Sequence, residues 1–121
     1  MVIDTSALVA LLCMEQEAPR LARALEADPH RLISAATWVE TAIVIEARYG
    51  EAGGRELDLL GAKADLLIQD VDQQQAEFAR EAWRRYGKGR HPAALNFGDC
   101  FSYALARATG EPLLFKGEDF S

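Results

Sequence analysis

Four acids stand where short apolar runs give way to helical patterns: Asp4 after "MVI", Glu40 in "TWVE", Asp99 in "NFGDC" and Asp119 in "KGEDF". Two carboxylates about 5 Å apart repel by roughly 3 kcal/mol at an effective dielectric near 20, and three or four multiply that cost. A divalent cation relieves it. An all-oxygen set with hydroxyl and amide neighbours suits Mg²⁺, with Mn²⁺ as a plausible substitute. Such an ion lowers the pKa of an attacking water and stabilises charge on a phosphate, so the chemistry expected is phosphate-ester hydrolysis. Thr5, Ser6 and Asn96 are placed to fix the carboxylates by hydrogen bonds. Zinc does not suit this set, because His30 and His91 are the only histidines and neither has ligand spacing.

Each acid also has a local explanation. Thr37-x-x-Glu40 fits a capping box, Asn96 fits the cap of a helix in which Asp99 is an early residue, and any acid near a helix start is favoured by the macrodipole. Caps do not require convergence, so the elements around the acids decide the matter.

Val2–Ile3, "RLISA", "DLLIQDV" and "PLLFK" are too brief for helices and follow turn or helix-stop residues, which predicts four strands. Between them "TWVETAIVIEARYG" reads as a helix closed by Gly50. Asp72 and Gln75 read as a capping pair opening "QQQAEFAREAWRRYG". In that helix Ala76, Ala79, Ala82, Trp83 and Tyr86 form an apolar stripe, and Glu77, Arg80, Glu81, Arg84 and Arg85 face water. From Cys100 to Ala106 there is no charge, so this last helix is expected to be covered on more than one side. The repeated β-α-β-α order predicts an α/β fold with a parallel sheet between helices and right-handed crossovers. Ligands then bind beyond the carboxyl ends of the strands. Asp4, Glu40 and Asp119 should rise at that edge, with Asp99 reaching it from its helix terminus.

The 121 residues, half of them hydrophobic, suit one domain spanning 1–121, with no repeat or linker. A net charge of −6 argues against a surface that grips nucleic acid throughout, and leaves room for a local basic patch. Cys13 and Cys100 have neither metal-knuckle nor redox spacing and read as core thiols. The apolar run from Ala7 to Met14 is too short to cross a bilayer, and no basic leader precedes it, so a soluble cytoplasmic protein is expected.

Taken together, "VIDTSAL", "SAATWVETAIVIEARYG" and "YGKGRHPAALNFGDCFSYALARATGEPLLFKGEDF" resemble the PIN-domain ribonuclease toxins of the VapC family, over essentially the whole chain. The resemblance implies a three-layer α/β/α domain around a mainly parallel sheet of four to five strands. It implies a Mg²⁺- or Mn²⁺-dependent endoribonuclease, the toxin of a toxin–antitoxin pair. Asp4, Glu40, Asp99 and Asp119 are then its metal-binding and catalytic acids, with Asp119 preferred to Glu118 by the "KGxDF" pattern. A cognate VapB-type antitoxin and a homodimer are implied as partners, and no membrane. Relatives commonly continue into a last short strand where this sequence stops at Ser121, so four strands are expected where the family has five.

For RNA contacts the expected residues are Lys116, Arg90 and Lys88. Arg84, Arg85 and His91 lie near the same loop, and Arg84 and Arg85 read as a solvated face. Trp38 and Trp83 read as core. Two rivals remain in view. A phospho-acceptor signalling domain wants adjacent acids after the first strand, where this chain has Thr5 and Ser6 after Asp4. A non-catalytic module, whose acidic groove merely binds a basic partner, predicts binding without turnover.

Overall fold

Val2 and Ile3 are both fully buried. A strand that is apolar on both faces needs helices on both sides. The computed structural model, which describes residues 1–89 and 91–117, supplies them. The elements run β1 (Val2–Ile3), α1 (Thr5–Leu12), α2 (Ala18–Ala27), β2 (Leu32–Ser34), α3 (Ala35–Lys63), β3 (Leu67–Gln69), α4 (Gln73–Tyr86), α5 (Phe97–Thr109) and β4 (Leu113–Leu114). All four expected strands form, in the order β3-β2-β1-β4. Every pairing is parallel, with Val2 beside Leu32 and Leu113, and Leu32 beside Leu67.

Alternation along the strands divides the core into the predicted three layers. Ile3 and Ile33 point to one side and pack with Leu8, Leu21 and Leu57 from α1, α2 and α3. Val2 and Leu32 point to the other and meet Leu105 of α5. The α4 helix lies on α5 through Ala79, Ala82 and Ala104. Because α5 touches α3, α4 and three of the strands, it is enclosed as its uncharged run requires. The guanidinium of Arg31 closes the far end by donating to the carbonyls of Leu25, Asp28 and Ala64 at 2.6 to 2.9 Å, which satisfies carbonyls at the ends of α2 and α3.

Gly50 breaks α3 as expected: at φ 67° and ψ −162° it leaves the helical region, and a second helical segment resumes beyond it. Asp72 caps α4 by accepting from the Gln75 backbone N–H at 2.8 Å. Asp72→Ala is expected to cost about 1 kcal/mol in denaturant unfolding, the usual loss for an N-cap.

Three expectations need correction. The Thr37–Glu40 capping box does not form, because α3 starts earlier, with Ser34 at its N-cap, and Thr37 is buried inside the first turn. Trp83 is not core: it is 43% exposed, on a groove it shares with Phe97 and Phe101 of α5, while Ala79 and Ala82 take the buried side of α4. Trp38 does pack on the core. Cys100 is buried, and burial pushes its thiol up to about 11. Cys13 is only half-buried, 3.4 Å from the Tyr49 hydroxyl.

Candidate active site

A parallel sheet with crossover helices places strand carboxyl ends and helix amino ends along one edge. Asp4 occupies both kinds of end, following β1 and capping α1. Its carboxylate is 2% exposed, so it must be hydrogen-bonded. Oδ2 accepts from the Ser6 backbone N–H at 3.1 Å and from the Ser6 hydroxyl at 2.7 Å. Oδ1 accepts from the Ser102 hydroxyl of α5 at 2.6 Å. The Lys116 backbone N–H donates to Ser6 Oγ at 2.9 Å, which ties the segment after β4 to the same cluster.

Glu40 lies in the second turn of α3, and the Thr5 hydroxyl donates to its Oε1 at 2.6 Å. Thr41 in turn donates to Thr5 at 2.9 Å. Ser6 thus bonds Asp4, and Thr5 bonds Glu40 and not its neighbour Asp4. On the opposite side Glu40 lies against Gly98 of α5, where a Cβ would stand 1.8 Å from Oε2. The Glu40 carboxylate therefore fills the space that any larger residue at 98 would need.

Asp99 is the third acid. Asn96 Oδ1 accepts from the Asp99 N–H at 2.9 Å while Asp99 Oδ2 accepts from the Asn96 N–H at 3.0 Å, a complete capping box. The local explanation of Asp99 is therefore correct as far as it goes. Burial raises its carboxyl above the ordinary value, the Asn96 N–H opposes this, and the charges of Asp4 and Glu40 push it up further. Three acids remote in sequence thus share one field.

Among the described residues, no three His, Cys, Asp or Glu side chains are gathered closely enough to hold a metal ion by themselves. The expected fourth acid, Asp119, lies outside the described residues, as does Glu118. What the structure brings to one edge is Asp4, Glu40 and Asp99 with the hydroxyls of Thr5, Ser6 and Ser102. This donor set is all oxygen.

The basic residues are more scattered. Lys116 pairs with Glu15, which raises its pKa and occupies its ammonium. Lys88 is exposed, and Arg90 lies outside the described residues. Arg85 pairs with Glu81 at 3.0 Å. Arg84 borders a groove of about 670 Å³ that also takes in Arg80, Trp83, Phe97 and Phe101. Phe97 is 78% exposed, two residues before Asp99.

Sequence reasoning missed Ser102, Thr41 and Gly98, and misassigned Thr37. A signal for Ser102 existed: it is the one aliphatic hydroxyl within the uncharged run of α5, three residues after Asp99 and so on the same helical face.

The fold and this acidic edge define a three-layer α/β/α domain with its candidate site at the carboxyl ends of parallel strands. The chain matches the PIN domain over residues 1–121 and belongs to that family, among the VapC ribonucleases. It is 62% identical to Ribonuclease VapC of Mycolicibacterium smegmatis, covering 99% of this chain and 93% of that protein. It is equally close to Ribonuclease VapC30 of Mycobacterium tuberculosis, at 62% over 99% of this chain and 92% of that one. Ribonuclease VapC42 of the same organism is 44% identical over 100% of this chain and 93% of that protein. The crystal structure of M. tuberculosis VapC20, a sarcin-ricin loop cleaving toxin, superposes with a TM-score of 0.75 at 21% identity. It covers 98% of this chain and 91% of that one, and shows the same fold.

Proposed function

We propose that this protein is the toxin of a toxin–antitoxin pair and hydrolyses RNA phosphodiester bonds with Mg²⁺, or Mn²⁺ in its place, at Asp4, Glu40, Asp99 and Asp119. The observation that supports the site most directly is that α5, which carries Asp99, bonds Asp4 through Ser102 and lies against Glu40 at Gly98. Hard oxygen donors under mutual repulsion fit a hard divalent cation, and neither histidine is among them. When bound, such an ion supplies charge neutralisation, an acidified water and stabilisation of the phosphate oxygens.

The chain's own residues supply position. Ser6 and Ser102 hold Asp4, Thr5 holds Glu40 and Asn96 holds Asp99, so the acids stand in fixed orientations before RNA arrives. The amino ends of α1 and α5 lie at Asp4 and Asp99, where helix dipoles favour negative charge, whether carboxylate or phosphate.

Relatives named as ribonucleases at 62% identity favour this function over the phospho-acceptor and binding-module alternatives. The same relationship supports a VapB-type antitoxin as partner, a cytoplasmic setting and a homodimer. Exposed Trp83 and Phe97 in one groove suit a surface covered in an assembly. No helix among the described residues is long and apolar enough to cross a membrane.

The test is direct. Purified, antitoxin-free protein incubated with total cellular RNA is expected to cut it in Mg²⁺ or Mn²⁺ and not in EDTA. RNA left intact in all three conditions would overturn the nuclease in favour of a binding module. Sequencing the new ends after brief expression then identifies the RNA and the bond.

A further inference from the structure

Asp4, Thr37 and Ser102 come from the β1–α1 junction, α3 and α5, and their side chains meet in the interior: Thr37 and Ser102 are fully buried and Asp4 is 2% exposed. Ser102 Oγ lies 2.6 Å from Asp4 Oδ1 and 3.2 Å from Thr37 Oγ1. A hydroxyl has one hydrogen, and an ionised carboxylate can only accept. The Ser102 hydrogen therefore goes to Asp4, and the contact with Thr37 runs the other way, Thr37 donating to Ser102. The relay has a direction, from Thr37 through Ser102 to Asp4.

Carboxylate oxygens offer about two lone pairs each. On Asp4, Oδ2 receives both the backbone N–H and the hydroxyl of Ser6, and Oδ1 receives Ser102. Among the described residues, three of roughly four acceptor positions are filled, and the fourth is on Oδ1. Ser6 alone suffices to cap α1, so the bond from Ser102, 98 positions away in sequence, adds something a helix start does not need. Ser102 also stands one turn after Asp99 on α5, so the helix that presents one acid grips the other.

The structure assigns Ser102, backed by Thr37, as the positioning pair that orients the Asp4 carboxylate for the divalent cation. Neither residue touches the ion, and both act through Asp4. The assignment rests on the metal-dependent function proposed above. It adds that metal affinity depends on two buried hydroxyls directly behind Asp4.

The experiment measures Mn²⁺ binding by electron paramagnetic resonance of the free ion, for the parent, Ser102→Ala, Thr37→Val and Thr37→Ser, with thermal melts of each in EDTA. Ser102→Ala is expected to bind Mn²⁺ about tenfold or more weakly, the usual effect of removing a group that orients a metal ligand. Thr37→Val keeps the shape, removes the donor, and is expected to weaken binding by less in the same direction. Thr37→Ser restores the donor and the affinity. A folded Ser102→Ala protein with parental affinity, whatever its melting temperature, overturns the assignment. Should Ser102→Ala not fold, Thr37→Val decides, and parental affinity there overturns it equally. A parent that binds no Mn²⁺ overturns the metal site itself and the positioning pair with it.

Discussion

Asp99→Asn is expected to lower RNA cleavage by about 10²- to 10³-fold, the size of effect seen when one pre-organised electrostatic group is removed. The metal-free protein should nonetheless melt at the parental temperature or slightly above it. The two halves of this result have one cause. The Asp99 carboxyl is raised above its ordinary 3.8 by burial first, and by the charges of Asp4 and Glu40. A raised acid favours folding while it is protonated, so its contribution is present below the ordinary value and is lost as pH rises through the raised one. At neutral pH the parent carries the repulsion of an ionised Asp99, and the amide does not. Its Oδ1 can still accept from the Asn96 N–H, so the cap survives. Melts in EDTA from pH 4 to 8 should show the parent losing ground to Asp99→Asn as pH rises. Asp99→Ala, which removes the acceptor as well, should cost about 1 kcal/mol more. A large fall in the melting temperature of Asp99→Asn would make Asp99 chiefly a structural cap.

Asp99 also shows why the two explanations of the acids were never exclusive. The sequence pattern Asn96-x-x-Asp99 correctly announced a cap, and the same carboxylate still lies in the field of Asp4 and Glu40. Strands were legible because each is a short apolar run after a stop signal, and their parallel order followed from the alternation with helices. Thr37 was misread because Thr-x-x-Glu satisfies a capping pattern wherever it falls. Only the position of the helix start, set here by β2 ending at Ser34, decides whether the pattern is used. Trp83 was misread because periodicity reports which residues share a face, and not which of them end up covered. Gly98 carries no local signal of its partner, and Ser102 carries only its place on the helical face of Asp99. Asp4 and Glu40 reach them only when α5 crosses the sheet edge beside α3, a contact between segments more than fifty residues apart.

Gly98→Ala should abolish most cleavage, roughly as much as Glu40→Gln, of order 10²-fold, while changing stability little. Gly98 sits in the first turn of α5 without a positive φ, so the backbone accepts alanine, which is the better helix former by about 1 kcal/mol. The obstacle is the neighbour. An added methyl would stand 1.8 Å from Glu40 Oε2, 2.3 Å from its Cδ and 2.4 Å from Oε1, far inside contact distance. All three atoms belong to the free end of a flexible side chain, so Glu40 can swing away without moving α3. Doing so breaks its 2.6 Å bond from Thr5 and removes its charge from the site. The helix gain and the lost hydrogen bond are of similar size, which is why the melting temperature should barely move. If Gly98 acts only by making room for this carboxylate, the two positions must be coupled: Glu40→Gln combined with Gly98→Ala should be no slower than Glu40→Gln alone. A double variant that loses a further 10²-fold would show that Gly98 serves the reaction by another route, such as close approach of the substrate backbone to the amino end of α5.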